Sequence, residues 1–308
     1  MISGVVLGIV AAAIFQQTDT TFAVDPSARL DLNNFGGNIT IRTWAQNQIR
    51  VQAHHSSRDS IVIDRVDGGV RIRSASWTGR WQGFDIDLDL DPRVDAGEIE
   101  SRINRRRAPG IIDYEVTVPA SMALILGGPY THVTVENTEA ELSVAVNEGD
   151  VDVRGGRGLV TIRSIEGNVR LENVQATTRI IAIDGEVEAL NVRGALEIET
   201  TDGDITMSDV ESPSVSAISV DGDILFLGSV EPQGLYLFST HEGDVGVAIP
   251  ETASVRITVA TFGGEFETTF PLSIPDRIKG RRLNFTLGAG SAQMEIEAFD
   301  GEITLEKR

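Results

Sequence analysis

The chain has 308 residues, a formal net charge of −20 and no cysteine, which excludes disulfide staples, thiolate metal sites, cysteine nucleophiles and a lipid-anchored N-terminal cysteine. The acidic excess argues against partners that are nucleic acid or anionic membrane surface, and leaves basic or cationic partners, metal ions included, open. With 31 glycines and only 6% aromatics, the core is expected to be thin and aliphatic.

Residues 2–15, ISGVVLGIVAAAIF, form an apolar run too short to span a bilayer comfortably, and the polar stretch QQTDT follows. It reads as a secretory signal segment lacking the usual positive n-region. Residues 1–23 are thus set apart as a signal-like segment, and the protein is expected to be exported: periplasmic, at the cell surface or extracellular. The alternative is a buried first strand or capping helix. No later segment reaches spanning length, so no integral membrane span is expected in the mature chain.

From about residue 24 to 308 one domain is expected. Leu30 and Leu32 stand seven and five residues before Gly37, with Ile39 and Ile41 two and four after it, and Ile61, Ile63, Val70 and Ile72 flank Gly68 in the same way. Both read as strand pairs joined at a glycine corner. Trp44 reads as a strand-end core residue. His54 and His55 sit at a strand end, His132 in a strand and His241 beside a turn, without a serine or aspartate placed to make a catalytic constellation.

Between Ser74 and Ile112 the glycine register lapses, and this segment reads as an insertion. Asp85, Asp87, Asp89 and Asp91 alternate with apolar residues, which puts four carboxylates on one face of an extended strand. That face is either a binding surface for a cation or basic partner, or a solvated edge strand whose charges block edge-to-edge pairing. Val94–Arg107 reads as a short helix with a basic end. Trp77 and Trp81 either present rings to a sugar or peptide, or close the end of the core.

The rest of the chain is a repeat. Gly149, Gly167, Gly185, Gly203, Gly222, Gly243, Gly264 and Gly301 each stand between acidic or small residues, as in VNEGDVDV, TTDGDITM and SVDGDILF. The spacing is 18 residues at first and up to 21 later, the length of one turn of a solenoid of short strands. Positions seven and five before the glycine and two and four after it are apolar: Leu142 and Val144 with Val151 and Val153, Leu196 and Ile198 with Ile205 and Met207. Three before the glycine the side chain is small, as in Ser164, Ala182 and Thr200, which fits an inward corner. Thr131 stands where an earlier glycine is expected, between Leu124 and Leu126 and Val133 and Val135. The fold class is all-β: a single elongated parallel β-solenoid, or β-helix, with coils of about 18–21 residues and one inserted segment at about 74–112.

RLDLNNFGGNITIRTWAQNQIRVQA, IDYEVTVPASMALILGGPYTHVTVE and the succession EGDVDV, DGDITM, DGDILF, EGDVGV resemble the bacterial "putative adhesin" family, β-repeat proteins built on a domain of unknown function. The resemblance covers most of residues 22–308. It implies a surface-exposed β-solenoid that binds a protein or glycan ligand at the cell surface, and it carries over no catalytic residues.

Of the sixteen residues flanking the eight late glycines, fourteen are acidic, Asn168 and Gly263 excepted. Like charges repeated at about 4.8 Å repel by about 0.9 kcal/mol per pair even in water. Calcium bridging Asp202, Asp204, Asp221 and Asp223 on neighbouring coils would offset that; hydrated, splayed side chains are the other answer, and the GGxGxD motif of calcium β-rolls is absent. No cofactor is otherwise expected. The acids are spread evenly along the corners, whereas a polysaccharide lyase or hydrolase needs paired acids gathered in one place. The expected function is therefore a non-enzymatic, adhesin-like interaction or scaffold protein, with a polysaccharide-acting solenoid enzyme as the alternative.

Overall fold

A computed structural model describes residues 15–75, 110–272 and 282–308, and in these it is all-β. Trp77, Trp81, Asp85, Asp87, Asp89, Asp91 and the helix expected at Val94–Arg107 lie outside the described residues.

The alternation of apolar and polar residues makes each run a strand with one face inward. A strand before each glycine, such as Arg157–Glu166, turns at the corner into a short strand after it, such as Val169–Glu172. Coils stack in parallel: Leu142 pairs with Val160, Val160 with Thr178, Thr178 with Leu196, Leu196 with Val215 and Val215 with Tyr236. Behind the corner, Val133, Val151, Val169, Val187, Ile205, Ile224 and Val245 form a second column. The expected inward positions are buried from Leu30 to Leu305, the small residues three before each repeat glycine included, except Ile61 and Ile63, which are half-buried. Thr131 is buried and takes the expected corner place, paired with Gly37.

The corner requires glycine. At Gly185 φ is 129°, and a Cβ there would stand 2.4 Å from the carbonyl oxygen of Gly167. Gly203 meets Gly185 at the same 2.4 Å, and Gly243 meets Gly222 at 2.3 Å. Each coil is thus seated on the bare backbone of the one before it. The opposite corner has its own column, which the sequence reading passed over: Asn137, Gly155, Asn173, Asn191 and Asp209 all have φ between 52° and 66°. Asparagine and aspartate tolerate this left-handed conformation, and the Asn191 amide donates to Asn173 Oδ1 at 2.6 Å. The extra residue in the 19 from Gly203 to Gly222 falls between Glu211, which still pairs with Arg193, and Val215, which pairs with Leu196.

Both ends depart from a simple succession of coils. Gly301 packs on Gly243, and Gly264 packs on Gly301, so the last segment of the chain, Ala292–Asp300 and Ile303–Lys307, slots between Leu235–Ile249 and the earlier coil Val255–Thr268. Arg282–Leu287 then covers the outer strand antiparallel. At the other end Asp113–Pro119 lies outside Gly36–Trp44. Gln48–Ser56 pairs antiparallel with it, and Phe15–Ala23 antiparallel with Gln48–Ser56. The strand Phe15–Ala23 falls within the residues read as signal-like. It is fastened by the Asp19–Arg50 pair at 2.7 Å, whose hydrogen bonding holds the Asp19 carboxyl below its ordinary pKa.

Three local expectations are corrected. Gly68 is the turn of an antiparallel hairpin between Ile61–Val66 and Gly69–Ser74, with nothing within 4 Å of where its Cβ would be; its periodicity matched a coil because hairpin strands alternate too. Trp44 is only half-buried, its indole donating to the Gln48 carbonyl at 2.8 Å. Glu199, an outward position that strand alternation would leave exposed, is half-buried in an ion pair with Arg179 at 3.1 Å.

Ile205 is fully buried, so Ile205→Asp is expected to cost several kcal/mol by placing an unpaired charge in the core. Gly185→Ala is expected to cost on the order of 3 kcal/mol or more, since it adds a collision to an unfavourable φ, against about 1–2 kcal/mol for Gly68→Ala in open space. Denaturant unfolding measures all three, and equal losses at the two glycines would refute the stacked corner.

Candidate interaction surface at the glycine corners

The residue after each glycine serves the backbone. Its amide points back to the preceding coil, where a short acceptor side chain meets it. Asp150 N–H donates to His132 Nδ1 at 3.0 Å, Asn168 N–H to Asp150 Oδ1 at 2.9 Å and Glu186 N–H to Asn168 Oδ1 at 3.0 Å. After an interruption at Glu186, whose side chain is one methylene longer, the series resumes: Asp223 N–H to Asp204 Oδ1 and Asp244 N–H to Asp223 Oδ1, both at 2.8 Å, then Glu302 N–H to Asp244 Oδ1 at 2.7 Å. A carboxylate accepting an amide is partly compensated for its like-charged neighbours. Asp204 and Asp223 are thus brought together through an amide, and Asp202 and Asp221 pair along the backbone. Among the described residues no group of three or more side chains converges to hold a metal ion.

The residue before the glycine does something else. Glu148, Glu166, Asp184, Asp202, Asp221, Glu242 and Asp300 are all exposed, and among the described residues none of them has a cationic partner. Several outward glutamates elsewhere are arginine-paired: Glu197 with Arg179 at 2.9 Å, Glu211 with Arg193 at 2.9 Å, Glu188 with Arg170. Arg193 lowers the Glu211 pKa by hydrogen bonding.

Two residues before the glycine lies an apolar rail. Ile183 is 38% exposed, Val220 51%, Phe299 49% and Phe262 72%. Because the last coil is inserted before the penultimate one, His241, Phe299 and Phe262 fall on consecutive levels. His241 stacks on Phe299 with centroids 4.7 Å apart, and Phe299 on Phe262 at 4.9 Å with planes 6° from parallel. A groove of about 460 Å³ runs beside these rings, bordered by Ser239, Arg282 and Glu297; Arg282 ion-pairs with Glu297 at 3.7 Å. Sequence reading missed this site. Its signal was the residue two before each glycine, read in the spatial order of coils, and that order is not the order of the chain.

The other histidines have structural settings. His55 is buried, donating from Nδ1 to the Ser56 carbonyl at 2.9 Å and accepting at Nε2 from the Thr18 hydroxyl at 3.0 Å. His132 heads the amide series. His54 is exposed.

Asp223→Asn keeps the acceptor and removes one like charge, so its melting temperature is expected to match or exceed that of the parent at low salt, while Asp223→Ala is expected to fall by a few degrees. Melts in calcium and sodium chloride at matched ionic strength are expected to coincide; a saturable calcium-specific rise would instead assign Asp202, Asp204, Asp221 and Asp223 to an ion.

Residues 27–306 match the model of the family described as Toastrack DUF4097, and the chain belongs to that family. None of the curated proteins matches it. Among solved structures it is similar to a "putative lipid binding protein" from Parabacteroides distasonis, 9% identical over 95% of this chain and 96% of that one with a TM-score of 0.50, a likeness of fold alone. It is also matched to a "putative cell adhesion protein" from Clostridium sporogenes, 13% identical over 95% of this chain and all of the other, at a TM-score of 0.20.

Proposed function

We propose that this Toastrack chain is an exported, non-enzymatic scaffold that presents an interaction surface to a protein or glycan ligand at the cell surface. The observation that carries the reading is the exposed apolar rail beside an uncompensated column of carboxylates, repeated coil after coil. Exposed aromatic residues gathered at one place mark recognition surfaces more often than they mark solvated structure. The names of the two structural neighbours, adhesion and lipid binding, lie in the same class of function. The described histidines and acids are engaged in backbone bonds or ion pairs, or spread singly along the corners, so they offer no acid and base facing one substrate.

Export fits the apolar leader at residues 2–15. Because Phe15–Ala23 is a paired strand, cleavage is expected close to residue 14, leaving that strand intact. Mass spectrometry of protein from the native host is expected to find that N-terminus; a cytoplasmic chain with its first residues retained would sink the localisation. A glycan-array screen with product analysis tests the activity. Retention without turnover is expected, and new reducing ends or unsaturated sugars would replace the scaffold with the polysaccharide-acting enzyme.

A further inference from the structure

We propose that the aromatic end of the corner rail, His241, Phe299 and Phe262, receives an extended cationic segment of a protein partner; this rests on the scaffold reading and names its ligand. The geometry of the rings argues for a peptide over a sugar. Stacking at 4.7 and 4.9 Å occupies both faces of Phe299 and one face each of His241 and Phe262, so along the length of the stack ring edges are offered, and only the terminal Phe262, 72% exposed, keeps an outer face. A sugar stacks on an aromatic face, whereas an aliphatic side chain can lie across edges. The rail steps by one coil, about 4.8 Å, and an extended chain rises about 3.3 Å per residue, so roughly three peptide residues span two levels.

Charge selects the sign of the partner. The levels of Val220, His241 and Phe299 carry Asp221, Glu242 and Asp300, exposed and without a cationic partner among the described residues, while Gly263 holds that position beside Phe262. Arginine-paired glutamates on the outward face are already neutralised. The uncompensated charge therefore lies next to the exposed apolar surface, and lysine or arginine side chains alternating with aliphatic ones would meet both columns at once. The same carboxylates, on a chain of net charge −20, repel an anionic bilayer, which disfavours a lipid surface as the occupant.

The test uses the full chain and a labelled decapeptide of alternating leucine and lysine, with the leucine–glutamate decapeptide, decalysine and phosphatidylcholine vesicles as the other probes. Fluorescence anisotropy is expected to show saturable binding of the leucine–lysine peptide and none of its glutamate counterpart. Two variants separate the columns: Phe262→Ser with Phe299→Ser, and Asp221→Asn with Glu242→Gln and Asp300→Asn. All five residues are exposed, and a thermal melt verifies that each variant folds. Each is expected to weaken binding at least tenfold, the charge variant also flattening the dependence on salt. Decalysine binding as tightly and indifferently to the phenylalanine variant would overturn the proposal in favour of diffuse electrostatics. Vesicle binding without peptide binding would overturn it in favour of lipid. No binding of any probe would overturn it as well. A glycan hit insensitive to both variants would remove the peptide and leave the scaffold standing, while sugar cleavage would remove both.

Discussion

One contact governs this fold: the carbonyl oxygen of each corner glycine sits where the side chain of the next would begin. At 2.3–2.5 Å from the ideal Cβ positions of Gly167, Gly185, Gly203 and Gly243, it leaves no room for alanine. The gain is a continuous backbone seam. Gly167 N–H donates forward to the Asp184 carbonyl at 3.1 Å, while Val169 N–H donates to the Glu186 carbonyl at 2.9 Å, and the amide between them reaches back to an Asp side chain. All three amides of this turn have a partner, which a crowded corner must provide. With corners locked in register, valines, leucines and isoleucines two and four residues away have no choice but to stack, and each adds about 1.5–3 kcal/mol of burial.

A stack of identical coils leaves two open ends, each exposing apolar core and unpaired backbone. This chain closes them with strands that run against the grain. Arg282–Leu287 covers Val255–Thr261, and Phe15–Ala23 with Gln48–Ser56 covers Asp113–Pro119. In both places the chain first runs outward and then returns to lay a coil inside, Ala123–Glu136 at one end and Ala292–Lys307 at the other. The inward return then places the last parallel coil between two formed surfaces.

The repeat was legible because its constraints are local and periodic. Glycine at fixed spacing, alternation on either side and a small residue three before the corner each have one physical cause, and Leu142, Ile198, Ile205 and Leu305 were placed inward from these alone. What the sequence hid is non-local. Gly264 and Gly301 carry the same motif, and nothing in either says that the second lies between Gly243 and the first. The aromatic stack depends on that inversion, since Phe262 and Phe299 are 37 positions apart in the chain. Gly68 shows the converse, a local pattern satisfied by a hairpin because the alternation that marks a coil marks any half-buried strand. The left-handed column Asn137, Gly155, Asn173, Asn191 was readable at its own 18-residue spacing, but the acid-flanked glycines, with their stronger signal, drew the register to the other corner.

The three positions around the glycine differ in how much freedom the fold leaves them. The position after it must supply a short acceptor to the next amide, which asparagine meets at Asn168 as well as aspartate does at Asp150; its acidity is a matter of structure first. The position before it and the one before that make no such bond, so their composition is unconstrained by the seam. Yet the first is acidic at seven successive levels from Glu148 to Asp300, despite the repulsion this builds up, and the second is apolar at Ile183 and Val220, with Thr201 between them, and aromatic toward the far end, despite its exposure. Repulsion and exposed apolar surface are both costs that the coil could avoid by substitution without disturbing its backbone. Their persistence side by side, on the one strip where the fold asks for neither, is what marks this edge of the solenoid as a surface made for contact.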